Sequence, residues 1–212
     1  MSRLRRGLTT AITTAITGAL AAAALTLTGS AAPAGASPVA TTKAAGPLAP
    51  VPSVDLQRYL GRWEQVAAIP QIFQLQCARN SRAVYTAVDA DTIGVTNTCS
   101  TWLGGTSTVT GKADVLDPVT NAQLRVGFDG IPAFGDTTKP NYVITYLAPD
   151  YSWAVVGDPD RNSGFVLSRT PKLPVTKKEL KRVIESRGYN SCLFLNTPVD
   201  GGRQDRLPLC IA

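Results

Sequence analysis

Gln57–Ala68, QRYLGRWEQVAA, is the stretch from which the rest of the chain can be read. Tyr59 and Leu60 lead into Gly61-Arg62-Trp63, strand-like residues follow, and Pro70 ends the run. A glycine two residues ahead of a tryptophan marks a tight entry into a strand, with a large ring turned inward on arrival. Alternation predicts Trp63, Gln65 and Ala67 on one face and Arg62, Glu64 and Val66 on the other. Alone, such a motif means only a buried tryptophan. Followed by enough strands, it becomes the plug of a barrel.

Seven more strand-prone runs follow Arg62 to Ala68. Arg82 to Val88 and Thr92 to Trp102 flank Asp89-Ala90-Asp91 and predict a hairpin. Ser107 to Val115 stops at Asp117-Pro118, a turn signal. Ala122 to Phe128 alternates with Leu124, Val126 and Phe128 on one face, and Gly130 to Pro140 is a loop. Tyr142 to Leu147, Trp153 to Gly157 and Gly164 to Arg169 complete the set. Eight short antiparallel strands in sequence fit an all-β, eight-stranded up-and-down barrel. A β-sandwich stays open on strand count, but the short turns favour a meander.

One helix is expected, Lys177 to Arg187. Thr176 and Glu179 form a capping box, and Gly188 stands where a C-terminal glycine cap belongs. Leu180, Val183 and Ile184 make a narrow apolar stripe without aromatics. That favours a helix packed on the barrel wall over one lying on a membrane. Cys192 to Leu195 is expected as a short final strand.

Ahead of the barrel, Arg3, Arg5 and Arg6 precede an apolar run from Ala11 to Leu27, and Ala34-Gly35-Ala36 offers a cleavage site. Residues 1–36 therefore read as a secretory signal peptide, weakly hydrophobic for a membrane anchor. Residues 37–52, rich in Pro and Ala, read as a flexible linker, and residues 53–212 as one domain. No cysteine precedes Cys77, so no lipid-modified cysteine is expected, and the mature protein is expected outside the cell with no transmembrane anchor.

Removing residues 1–36 takes away three arginines and no acid, so the formal charge falls from +6 to +3. That balance, with no run of basic residues interleaved with aromatics, excludes a nucleic-acid partner. The chain has no histidine. Ser-His-Asp and Cys-His nucleophiles are thereby absent, and zinc loses its commonest ligand. No phosphate-binding or nucleophile-elbow motif stands in a suitable context. Asp158 and Asp160, around Pro159, read as turn-forming aspartates. The expectation is a non-enzyme with no catalytic residue, metal or cofactor. Four cysteines in an exported chain predict two disulfides, with three connectivities possible.

The sequence resembles the lipocalin family at three separated places. Tyr59-Leu60-Gly61-Arg62-Trp63 matches the first conserved block. Pro149-Asp150-Tyr151 resembles the second, with proline where threonine is usual, and Leu167-Ser168-Arg169-Thr170-Pro171 matches the third. Gly157 to Pro171 is similar to the bacterial outer-membrane members, with apolipoprotein D-like members nearby; the lipid-anchoring cysteine usual in the bacterial members is missing, and Phe165 stands where they typically have a pocket tryptophan. The resemblance implies a barrel carrying a small hydrophobic ligand, a fatty acid or lysophospholipid, lined by Tyr85, Asn97 and Phe165. Trp153 and Thr145 are further pocket candidates. Gly61, Trp63, Asp150, Tyr151 and Arg169 are implied as structural, with Arg169 against Trp63. A protein-binding member, an inhibitor or decoy acting through its open-end loops, is the other reading. The resemblance also favours Cys77–Cys210 with Cys99–Cys192. Cys77–Cys99 with Cys192–Cys210 stays open, because strands two and three are neighbours.

Overall fold

The computed structural model describes residues 46–133 and 135–211. The signal peptide expected over 1–36 and most of the linker lie outside them. A one-turn helix α1 (Leu56–Tyr59) precedes eight strands: β1 (Gly61–Ala68), β2 (Cys77–Ala87), β3 (Thr92–Thr101), β4 (Thr106–Val115), β5 (Gln123–Phe128), β6 (Tyr142–Leu147), β7 (Trp153–Gly157) and β8 (Gly164–Ser168). Helix α2 (Lys177–Ser186) and a two-residue strand β9 (Leu195–Asn196) follow. Strands β1 to β8 each pair antiparallel with their sequence neighbours, β8 and β2 both pair with β1, and β9 adds to β1. The sheet therefore closes on itself as an eight-stranded barrel, and the sandwich alternative is excluded.

The barrel has an inner and an outer apolar cluster. Trp63, Ala83, Tyr85, Ile93, Val95, Ala113, Leu124, Ile144, Ala154, Val156 and Leu167 fill the inside. Val143, Trp153, Val155 and Val166 face outward and are covered by Leu180, Val183 and Ile184 of α2 and by Phe194. Burying that three-residue stripe contributes about 1.5–3 kcal/mol per side chain. Thr176 caps α2 by accepting from the Glu179 amide, but the Glu179 carboxylate turns to Arg182 instead of completing a capping box.

The alternation expected for β1 fails halfway. Its register on β8 shifts between Gln65 and Ala67. Trp63 accordingly stays inside while Ala67 joins the outer cluster. Strand β2 begins earlier than expected, because two register shifts and a positive φ at Asn80 disrupt the period-two pattern of its polar first half. Residues Ser191–Leu193 form a 3-10 turn and not the expected strand. Only Leu195–Asn196 pair, with Ala68 and Ala67.

The linker ends sooner than expected. Leu48 is buried in the outer cluster, its amide bonded to the Pro159 carbonyl, and the Val51 amide bonds to Ile144. Apolar side chains between the prolines give this segment surface to bury.

The preferred disulfide pairing is also corrected. Cys77 bonds to Cys99 across β2 and β3, and Cys192 to Cys210 within the tail. The bridge between Leu195 and Pro208 folds the tail back on itself and brings its two cysteines to 4.8 Å between Cα atoms. Arg206, not Cys210, is the tail residue that reaches the Cys77 carbonyl.

Candidate functional site

The three motif blocks meet beneath the barrel. Gly61 has φ +90°, and a Cβ there would come within 3.4 Å of Arg169 Nη1. Glycine thus serves both the turn and the close approach. The Arg169 guanidinium lies 3.8 Å from the Trp63 ring centroid and donates to the carbonyls of Arg62, Arg58 and Tyr59. The indole Nε1 donates to the Tyr59 carbonyl at 2.8 Å. Asp150 caps its own turn by accepting from Ser152, while Tyr151 accepts the Asp55 amide and lies under Arg58. Together these close one end.

Above this floor the inward-facing residues can be followed from strand to strand. Strands of a closed barrel are tilted, so a hydrogen-bonded row climbs as it passes round the wall. One row runs Trp63, Ala83, Asn97, Val109, and another Tyr85, Val95, Gly111, Phe128. Each begins buried and ends half-buried. No residue in either row is charged. The interior therefore suits an apolar or neutral group, admitted from the far end.

Tyr59, Tyr85 and Tyr142 form the polar part of that interior. The Tyr142 hydroxyl lies 2.8 Å from that of Tyr59 and 3.1 Å from that of Tyr85. Burial pushes all three phenols up, Tyr85 to about 12. They are neutral hydrogen-bonding groups at ordinary pH. Three hydroxyl protons share two contacts, so one O–H has no acceptor among the described residues. Sequence reasoning missed Tyr59 and Tyr142. Tyr59 sits inside the first motif block, and Tyr142 opens the most β-prone run.

Of the expected pocket residues, Tyr85 and Phe165 belong to the inner cluster, and Asn97 is paired with the inward-facing Ala83. The Asn97 carboxamide makes no side-chain hydrogen bond among the described residues, and the residue is half-buried. Trp153 does not belong with them. It is buried in the outer cluster against Tyr146, with ring centroids 4.4 Å apart. Thr145 is corrected too. It occupies the irregularity between Ile144 and Tyr146, and its hydroxyl donates to the Ala49 carbonyl at 2.7 Å. A strand irregularity of this kind is invisible to simple alternation.

The aspartates of the β7–β8 turn behave as turn formers. Asp158 accepts from Asp160 N and from the amide and hydroxyl of Ser163. No cluster of metal-ligating side chains occurs among the described residues, and no helix there is long and apolar enough to cross a membrane.

A lipocalin-like domain model matches residues 54–199. Temperature-induced lipocalin-1 of Arabidopsis thaliana is 34% identical over 157 residues, covering 70% of this chain and 81% of its own. Outer membrane lipoprotein Blc of Escherichia coli is 30% identical over 147 residues, covering 68% and 79%. Among solved structures, lobster apocrustacyanin A1 superposes with a TM-score of 0.50 at 22% identity, covering 66% of this chain and 77% of its own. Insecticyanin of Manduca sexta gives 0.50 at 20%, covering 70% and 82%. At those identities the superpositions speak for the fold alone.

Proposed function

Because the chain belongs to the lipocalin family, we propose that it is a non-enzymatic carrier holding one fatty acid or lysophospholipid inside the barrel. The observation that carries this reading is the graded lumen. It is closed below by Trp63 and Arg169, uncharged along both climbing rows, and only half-buried at Asn97, Val109, Phe128 and Phe165. An acyl chain buried there gains about 25 cal/mol per Å² of apolar surface, enough for micromolar or tighter binding. Asn97 and the spare phenol proton give polar contacts to an ester or carboxyl oxygen. Tyr85, Asn97 and Phe165 are the proposed ligand contacts.

Both disulfides support a working place outside the cytoplasm, since such bonds persist in oxidising compartments. Native mass spectrometry of the gently purified protein tests the carrier reading. An added mass matching an acyl lipid is expected. A bare protein that also fails to take up stearate or lysophosphatidylcholine would contradict it.

A further inference from the structure

At the open end, the β1–β2 and β3–β4 loops carry Ile72, Phe73, Leu75, Trp102 and Leu103, exposed by 85, 64, 70, 62 and 101%. Soluble monomers seldom gather so many large apolar side chains at one place without a use for them. The two loops act as one ledge. The Trp102 indole donates to the Leu75 carbonyl at 2.8 Å, and Cys77–Cys99 staples the strands beneath.

The chemistry around the ledge indicates its partner. No acidic residue occurs from Gln65 to Val88 or from Thr92 to Ala113. Arg206 lies 4.9 Å from the Trp102 ring, held by the carbonyls of Cys77 and Ala78, with no carboxylate partner among the described residues. Between the ledge and the tail lies a cleft of about 160 Å³, more apolar than polar, whose lining includes Gln65, Gln74, Leu75, Leu195, Trp102 and Arg206. Apolar tips, an interfacial indole, an unneutralised guanidinium and a small cleft therefore share one level. Trp and Arg also serve protein interfaces, but aliphatic and aromatic tips beside an unneutralised guanidinium, on two loops without a carboxylate, match a lipid leaflet, which presents acyl chains just below phosphates.

We propose that this rim docks the barrel mouth-down on a phospholipid surface. Phe73 and Leu103 enter the acyl region, and Arg206 takes a lipid phosphate at the cleft. Docking does not require an occupied lumen, so it stands or falls apart from the carrier reading.

Trp102 reports on it directly, because Trp63 and Trp153 are buried. The ligand-stripped chain should float with palmitoyl-oleoyl phosphatidylcholine vesicles, and more strongly when phosphatidylglycerol is added. Vesicles with brominated acyl chains should quench Trp102 and shift its emission to the blue. Phe73→Ser with Leu103→Ser should weaken partitioning by about tenfold or more. Arg206→Gln should abolish the gain from phosphatidylglycerol. Failure to float on either composition would overturn the proposal, and so would flotation untouched by the double variant. Quenching that survives in Trp102→Phe would place the bromolipid in the lumen beside Trp63, against rim docking. A dimer broken by the double variant without flotation would make the ledge a contact between copies, which also overturns it.

Discussion

The guanidinium of Arg169 sits 3.8 Å from the centroid of the Trp63 ring, with its donors directed at the carbonyls of Arg58, Tyr59 and Arg62. One cation thus satisfies the end of α1 and the start of β1 while stacking on the ring that plugs the barrel. The stacking itself contributes about 0.5–2 kcal/mol. Trp63→Ala should destabilise by about 3–5 kcal/mol, the usual range for deleting a buried large aromatic. Arg169→Ala should cost stability too, and Arg169→Lys should rescue little, because lysine lacks the planar fork. The two alanine losses should be less than additive, since the groups touch. Urea unfolding of the four proteins in a double-mutant cycle checks this, and additive losses would remove the stacked pair as a unit.

The disulfides close loops of similar span, 22 and 18 residues apart in sequence. In the chain-entropy model each stabilises by about 3 kcal/mol. Their local effects should differ. Cys192→Ser with Cys210→Ser should loosen the tail, which Asn80 and Asp200 otherwise fasten to β2. Limited proteolysis should then cut the tail and leave the barrel intact. Non-reducing peptide mapping should find Cys77 joined to Cys99, and a Cys77–Cys210 peptide would refute the assignment.

Strand number, order and the single long helix were legible because turn residues and β-prone runs alternate at short intervals after Trp63. The floor was legible too, through three motif blocks whose residues meet in space. What escaped were the places where one extra residue breaks the period. The irregularities at Gln65–Ala67 and Ile144–Tyr146 send Ala67 outward and reserve Thr145 for Ala49. Strand β7 is buried on both faces, one by the lumen and one by α2, so its sequence has no polar side to orient Trp153. The cysteine pairing was hidden for another reason. It depends on the tail folding back at Leu195 and Pro208, which has no local signature.

Tyr59, Tyr85 and Tyr142 set an alkaline limit. Burial raises all three phenols, so the folded chain keeps their protons after the unfolded chain begins to lose its own. Their contribution is complete below the ordinary phenol value of 10.0 and is lost as pH rises through the folded value, about 12 for Tyr85. Urea midpoints should show this loss beginning above that ordinary value. Tyr142→Phe removes one titrating group and should make the decline shallower. An unchanged slope would mean that the triad does not govern it.

Asn97→Leu and Trp153→Phe separate the two faces of the wall. The first should shift selectivity between acyl lipids with little loss of stability, because Asn97 has no side-chain partner to lose. The second should lower stability by about 1–2 kcal/mol through lost packing on α2 and leave affinities unchanged. Isothermal titration with stearate and lysophosphatidylcholine reads both. Equal effects on binding would undo the assignment of faces.

The central claim is that the ligand occupies the lumen. Backbone amide spectra recorded during titration of the Trp102→Phe protein with stearate or lysophosphatidylcholine test it most directly. Saturable shifts at Tyr85, Val95, Asn97, Val126 and Phe165 are predicted, with Val66, Leu180 and Leu209 on the outer wall unmoved. Shifts confined to the outer wall, or none with any acyl lipid, would contradict it.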